Sequence, residues 1–191
     1  MRYRPEYYVH FLSHLMEALR LEKASLVGIY MGGAISLGFS LRWSQRVEKL
    51  VLVDGYGLGK EVPRWVLSYA MVRLQLLNKV VRPILGRSRM MVRWSLRTVF
   101  HDPRAVTSSL VDEVFQGAHK LGVGLAWTTW QSNEIGWSGL HTNYVDRLHT
   151  LVVPTLILHG AEDRYVPVSW AQRAHPLIGR SELEIFPRCD H

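Results

Sequence analysis

The run Leu26-Val-Gly-Ile-Tyr-Met-Gly-Gly-Ala34 constrains the fold more than any other stretch of the chain. The apolar residues Ala24 to Val27 lead into glycines at positions 28 and 32, and small and apolar residues then recur at helical spacing from Ala34 to Trp43. This is the pattern of a buried parallel strand that reverses sharply into a helix. The reversal brings backbones so close that a β-carbon at Gly28 or Gly32 is expected to clash. It also lifts the side chain of Tyr30 out of the sheet, and because the helix begins at once, the N–H of Met31 points at the same space. Val47 to Val53 reads as the next strand, ending at Asp54-Gly55. Strand, turn, helix and strand thus make a βαβ unit of about thirty residues.

Two further strand patterns lie far downstream. Pro154-Thr-Leu-Ile-Leu-His-Gly160 delivers Ala161-Glu162-Asp163, and Glu182-Leu-Glu-Ile-Phe-Pro187 is followed by Cys189-Asp190-His191. Around position 30 the spacing is that of the nucleophile turn G-x-S-x-G, with Tyr30 where serine would stand. The segments LVGIYMGGAISL, RVEKLVLVDG and PTLILHGAEDRYVP, in that order, resemble three signatures of the α/β-hydrolase superfamily. The resemblance covers most of residues 5 to 191. It implies an α/β class chain with the α/β-hydrolase fold, as the C-terminal portion of a mostly parallel sheet flanked by helices, with a helical lid insertion. Residues 1–58 and 151–191 would form the core and 59–150 the lid. By the same resemblance Tyr30 occupies the nucleophile position, Asp163 that of the acid and His191 that of the general base, with Met31 N–H as one oxyanion donor. The implied chemistry is acyl transfer on a small apolar ester, amide or C–C substrate, with no cofactor and no metal.

Tyr30 leaves two readings open. A phenol has a pKa near 10, far below that of a serine hydroxyl, so basicity does not forbid a tyrosine nucleophile. Reach does: the phenolic oxygen projects well past a serine oxygen, out of register with an oxyanion hole spaced for serine. The other reading is a catalytically inactive relative in which Tyr30 fills the pocket or packs at its mouth. Ser36 and Ser40 lie too far into the following helix to substitute. Asp54, at the end of its strand, is an alternative acid or a turn residue, and His159, inside a strand before Gly160, reads as structural.

The family's earlier strands and its His-Gly oxyanion loop have no counterpart before Ala24, so the chain is expected to begin midway through the usual fold. One amphipathic helix, roughly Glu6 to Leu21, precedes the strand, with Phe11, Leu12, Leu15, Met16 and Leu19 expected on one buried face. The nucleophile strand would then be an open edge, which invites self-association.

Between Gly59 and Leu151 the sequence is mostly helical, with helices expected over Val62 to Val81, Met90 to Phe100 and from Asp102-Pro103 to about Leu121. Tryptophans recur at Trp65, Trp94, Trp127, Trp130 and Trp137, suiting a lid over an apolar substrate. Gly122, Gly124, Gly136 and Gly139 are expected hinge positions. From Arg64 to Arg104 nine cations face Asp102 alone, about as much charge as the whole chain's net +7. Arg89, Arg93 and Arg97 fall on one helical stripe that suits either solvent or an anionic membrane surface. No nucleic-acid motif accompanies the charge, so no such role is expected. The single cysteine, Cys189, leaves no internal disulfide and fits a reducing cytoplasm. His10 and His14 share a helix face without further ligands, which is not a zinc pattern.

Overall fold

The computed structural model describes residues 4–62, 65–74, 88–118 and 125–191. Four parallel strands form the central sheet: β1 (Ala24–Ile29), β2 (Val47–Val53), β5 (Thr155–Gly160) and β6 (Ser181–Phe186), side by side in the order β1-β2-β5-β6. A short antiparallel hairpin, β3 (Ile135–Gly136) with β4 (Gly139–Leu140), stands apart from it. The helices are α1 (Pro5–Ala18), α2 (Met31–Arg42), α3 (Trp65–Arg73), α4 (Arg89–Leu96), α5 (Ser108–Ala118), α6 (Leu125–Glu134) and α7 (Val168–Ala174).

Apolar alternation sets the faces of the sheet. Leu26 and Gly28 of β1, Leu50 and Leu52 of β2 and Ile157 of β5 are buried on one face, where α2 packs on β1 and β2 and α7 on β5 and β6. α1 packs in turn on α2. Helix α2 buries Ala34, Leu37 and Phe39 and carries glycines at 33 and 38 where neighbours come close. On the other face Val27 and Ile29 are exposed, while Val51, Val53, Leu156 and Leu158 are half-buried. Among the described residues β1 pairs with β2 alone and lies at the edge of the sheet.

Three expectations need correcting. Helix α1 does not bury Phe11, Leu15 and Leu19: the side it turns to α2 carries Val9, Ser13 and Met16, with Leu12 half-buried, and Phe11, Leu15 and Leu19 face outward. An apolar set spread over two sides of a helix cannot all face one neighbour. The helix expected from Pro103 begins at Ser108 instead. Asp102 accepts a hydrogen bond from Arg104 N (2.8 Å) and caps a 3₁₀ turn over Pro103–Ala105. Gly136 and Gly139 are not free hinges, because they face each other across the β3–β4 hairpin, Gly139 at φ +113°. Gly122 and Gly124, and the parts of the expected helices over 75–81 and 119–121, lie outside the described residues.

The segment between the two sheet halves divides its packing. Val72, Trp130, Ile135 and Leu140 join the main core, whereas Val92, Val106 and Val111 form a separate small core with Leu96, Phe100 and Phe115. The arginine stripe of α4 is largely spent inside this second unit: Arg89 pairs with Asp112, and Arg93 donates to Val106 O (3.0 Å) and Ser108 Oγ (3.1 Å). Among the described residues no helix is long and apolar enough to cross a membrane.

Candidate active site

The turn after β1 has the geometry that its glycines foretell, with one change. Tyr30 sits at φ 47°, ψ −114°, a strained conformation for a residue with a side chain. Its backbone is held on both sides, Tyr30 N donating to Val53 O (3.0 Å) and Tyr30 O accepting from Gly33 N (3.0 Å) and Tyr56 N (3.1 Å). A Cβ on Gly28 would run into the Gly32 carbonyl. A Cβ on Gly32 would meet nothing within 4 Å, so the expected clash there is absent. The second close approach belongs to Gly33, whose Cβ would lie 3.1 Å from the Cα of Gly55. Met31 opens α2, so its N–H is among those without a partner inside the helix.

The loop after β5 builds the acid. Asp163 Oδ1 accepts from Tyr165 N (2.7 Å) and Val166 N (2.9 Å), which closes the turn around the carboxylate. Its other oxygen, Oδ2, accepts from His191 Nδ1 at 2.8 Å. Burial raises the Asp163 pKa, but the hydrogen bonds from His191, Val166 and Tyr165 outweigh it and hold the carboxyl below the usual aspartate value. Burial likewise pulls the His191 pKa down. The bond to Asp163 and the charges of Asp163, Asp54 and Asp190 more than reverse this, leaving the imidazole above its ordinary value.

Beneath the acid lie two further polar residues. Asp54, at φ 46°, accepts from Gly160 N (2.9 Å) and so ties the end of β2 to the end of β5. His159 is fully buried, donates from Nε2 to Val166 O (2.9 Å) and lies 3.8 Å from Asp163 and 3.9 Å from Asp54. Asp54, Asp163 and His191 offer oxygen and nitrogen atoms all within 4.8 Å of one another, the spacing a metal ion would need. Both oxygens of Asp163 are already engaged, so a cation would have to displace the His191 bond.

On the opposite side the site is aromatic. The Tyr30 ring stands edge-to-face with His191, centroids 4.9 Å apart, and lies 5.8 Å from Tyr56 and 6.0 Å from Trp130. Tyr56 and Trp130 also meet, at 5.6 Å, and Tyr165 flanks His191 at 5.6 Å. Such tilted contacts are the favoured arrangement of packed rings. Burial first, then the charge of Asp163 and the neighbouring Tyr165, push the Tyr30 phenol well above its ordinary pKa. Among the described residues no hydrogen bond joins that phenol to His191. Behind the cluster, Tyr56 Oη donates to the buried Glu134 carboxylate (3.1 Å), which also accepts from Thr142 N (3.0 Å).

The structure therefore brings Tyr30, Met31, Asp163 and His191 to one end of the sheet. The sequence reading missed Tyr56, Glu134 and Tyr165, and placed Trp130 only within a general lid. Tyr56 could have been found from its place two residues beyond Asp54, at a strand end that faces the same crevice. Glu134 carried no local signal. Ser36 and Ser40 are buried within α2, where Ser40 Oγ donates to Ser36 O (2.7 Å), away from any attacking position.

A parallel sheet with a strained turn between strand and helix, an acid after a later strand and a histidine after the last one defines the α/β-hydrolase class. The family model described as serine aminopeptidase, S33, matches residues 8–191, and the chain belongs to that hydrolase family. It is 27% identical over 195 residues to the 2-hydroxy-6-oxo-2,4-heptadienoate hydrolase of Pseudomonas putida, covering 100% of this chain and 65% of the relative. It is 29% identical over 178 residues to a 2-hydroxy-6-oxononadienedioate/2-hydroxy-6-oxononatrienedioate hydrolase of Comamonas testosteroni, covering 93% of this chain and 59% of the relative. The meta-cleavage product hydrolase of Pseudomonas fluorescens IP01 superposes with a TM-score of 0.78 at 27% identity, over 100% of this chain and 66% of that one. The chain thus spans 59–65% of the length of these two curated relatives.

Proposed function

We propose that this chain is a hydrolase-fold protein that binds a small apolar carbonyl compound at the strand ends and does not form an acyl-enzyme through Tyr30. The observation that carries the reading is the Tyr30 ring, packed edge-to-face on His191 at 4.9 Å and against Tyr56 and Trp130. A nucleophile must present its oxygen to both base and substrate, whereas this side chain presents its ring to the base. Proton transfer from an ordinary phenol to an ordinary imidazole already costs about 5 kcal/mol. Burial of Tyr30 widens that gap, and the raised His191 recovers part of it. The aromatic wall suits an apolar ligand, and Met31 N–H together with His191 offers donors for a carbonyl oxygen. The relatives' names, hydrolases of 2-hydroxy-6-oxo dienoates, supply the ligand class to try first, one that adds a carboxylate to an apolar conjugated chain. The lone cysteine keeps a reducing cytoplasm as the proposed setting.

A second reading is slow acyl transfer on an ester, amide or C–C bond, and the 2.8 Å bond from His191 to Asp163 favours it, because an orienting acid serves no purpose in a purely passive wall. Titration with a hydroxy-oxo-dienoate, followed by tryptophan fluorescence, together with turnover of a nitrophenyl ester separates the two. Saturable quenching with ester turnover at the buffer rate is expected. Turnover that disappears in His191→Ala would overturn the binding-only reading in favour of the second.

A further inference from the structure

Two separately packed parts of the molecule meet at Tyr165. The first is the small core of Val92, Val106 and Val111, whose polar ties run within it: Arg89 pairs with Asp112, and Arg93 holds Val106 O and Ser108 Oγ. A unit with its own core and its own ties can shift as a body, because little inside it has to be unpacked. The second is the loop after β5. It is fixed at Asp163, whose carboxylate collects two backbone N–H groups, and at the buried Val166, whose carbonyl accepts from His159 Nε2 (2.9 Å). Between these anchors the side chain of Tyr165, 46% exposed, reaches Thr98 at 2.9 Å, in the turn that ends α4.

Thr98 fixes the direction of that bond. A threonine hydroxyl has one proton, and here it goes to Ser95 O (2.7 Å), which also accepts from Thr98 N (3.1 Å). Thr98 Oγ1 is therefore held on the helix end as an acceptor, and the Tyr165 phenol is the donor. The same tyrosine gives its backbone N–H to Asp163 Oδ1 (2.7 Å) and sets its ring 5.6 Å from that of His191. His191 thus has two tyrosine rings against it, Tyr30 at 4.9 Å and Tyr165 at 5.6 Å. Tyr30 is packed against the main core, and Tyr165 is the more exposed of the two. A shift of the second core that breaks the Thr98 bond frees the outer ring and leaves the inner one in place. One hydrogen bond favours the closed contact by only about two- to ten-fold, weak enough to open and close reversibly. We propose that Tyr165 is a positioning residue that couples the second core to the Asp163–His191 pair: its phenol, held by Thr98, keeps the ring against His191, and release from Thr98 uncovers the imidazole. The coupling goes beyond the choice between binding and acyl transfer, since both require access to His191.

Hydrogen exchange followed by mass spectrometry, together with carbethoxylation of histidines by diethyl pyrocarbonate, tests this in the 191-residue chain with Tyr165→Phe, Thr98→Val and the double variant. Each substitution removes a hydroxyl and keeps the size of the side chain. Peptides from 88–118 are expected to exchange about two- to ten-fold faster in each single variant, while those of β5 keep the parent's rate. The double variant should exchange no faster than Thr98→Val alone, because both changes break the same bond. His191 should be carbethoxylated at least about two-fold faster in all three variants, while the exposed His14 keeps its rate. Exchange over 88–118 that matches the parent overturns the proposal. So does a Tyr165→Phe effect that persists when Thr98 is already valine, an equal rise in the exchange of β5, or an unchanged rate at His191.

Discussion

The two sides of the site are built from opposite materials. Around Asp163 the contacts are hydrogen bonds: two backbone N–H groups and His191 satisfy the carboxylate, His159 and Asp54 lie just beneath, and Asp54 locks the two strand ends together. Around Tyr30 the contacts are ring on ring, and the polar group that Tyr56 reaches, Glu134, is a layer further back. The first half keeps what a general base requires, an oriented imidazole with a raised pKa. The second half keeps the strained turn of a nucleophile but fills it with a side chain whose surroundings hold its proton on. The backbone of the turn is thus that of a reaction site, while the side chain at its apex is held by packing.

The sharpest way to break the comparison lies in the turn itself. Gly28→Ala forces a Cβ into the Gly32 carbonyl and is expected to cost about 3 kcal/mol or more, or to prevent folding. Gly32→Ala, helical and with open space before it, should be neutral or stabilising by up to about 1 kcal/mol. Urea denaturation of both variants measures the contrast, and equal losses would mean that the turn is not built as described.

Tyr30 comes next. Tyr30→Ala should cost about 2 kcal/mol or more through the gap left among Tyr56, Trp130 and His191. Tyr30→Gly should cost about 1 kcal/mol less than Tyr30→Ala, despite the larger gap, because glycine relieves the strain at φ 47°. Denaturation midpoints that put glycine below alanine would show that the strain is not being carried there.

The smallest effect concerns pH. The His191 pKa is raised in the folded state, so its bond to Asp163 contributes fully below the unfolded imidazole value of about 6.5 and is lost as pH rises through the folded value. Asp163 is lowered, so its contribution is present above the unfolded carboxyl value of about 4 and is lost as pH falls through the folded value. The parent should therefore exceed His191→Ala in stability by about 1 kcal/mol near pH 6, and the difference should shrink towards pH 9. Thermal unfolding at both pH values measures it, and a difference that grows with pH would contradict the pairing.

Legibility followed how local the cause was. The βαβ unit and the strands ending at Asp54 and Gly160 could be read because apolar runs and turn residues act over a few neighbours, whereas the pairing of Asp163 with His191 is implied by the resemblance to the α/β-hydrolase superfamily. The close approach of Gly33 to Gly55 could not, since it depends on where the next strand ends. Nor could the outward turn of Phe11, Leu15 and Leu19, because a helix with two apolar sides does not declare which one its neighbour covers. The aromatic cluster joins residues 30, 56, 130 and 191 from four separate elements, and the buried Glu134 at the end of α6 accepts on one oxygen from Tyr56 and Thr142, far from it in sequence or across a turn. Such contacts exist only once the chain has folded.

The central claim is that Tyr30 is a packing residue, and covalent labelling tests it directly. Incubation with a nitrophenyl ester and with a fluorophosphonate, followed by peptide mass spectrometry, should leave the peptide containing Tyr30 unmodified while His191 remains intact. An acyl or phosphonyl adduct on the Tyr30 oxygen that is absent in His191→Ala would contradict the account and make Tyr30 a working nucleophile.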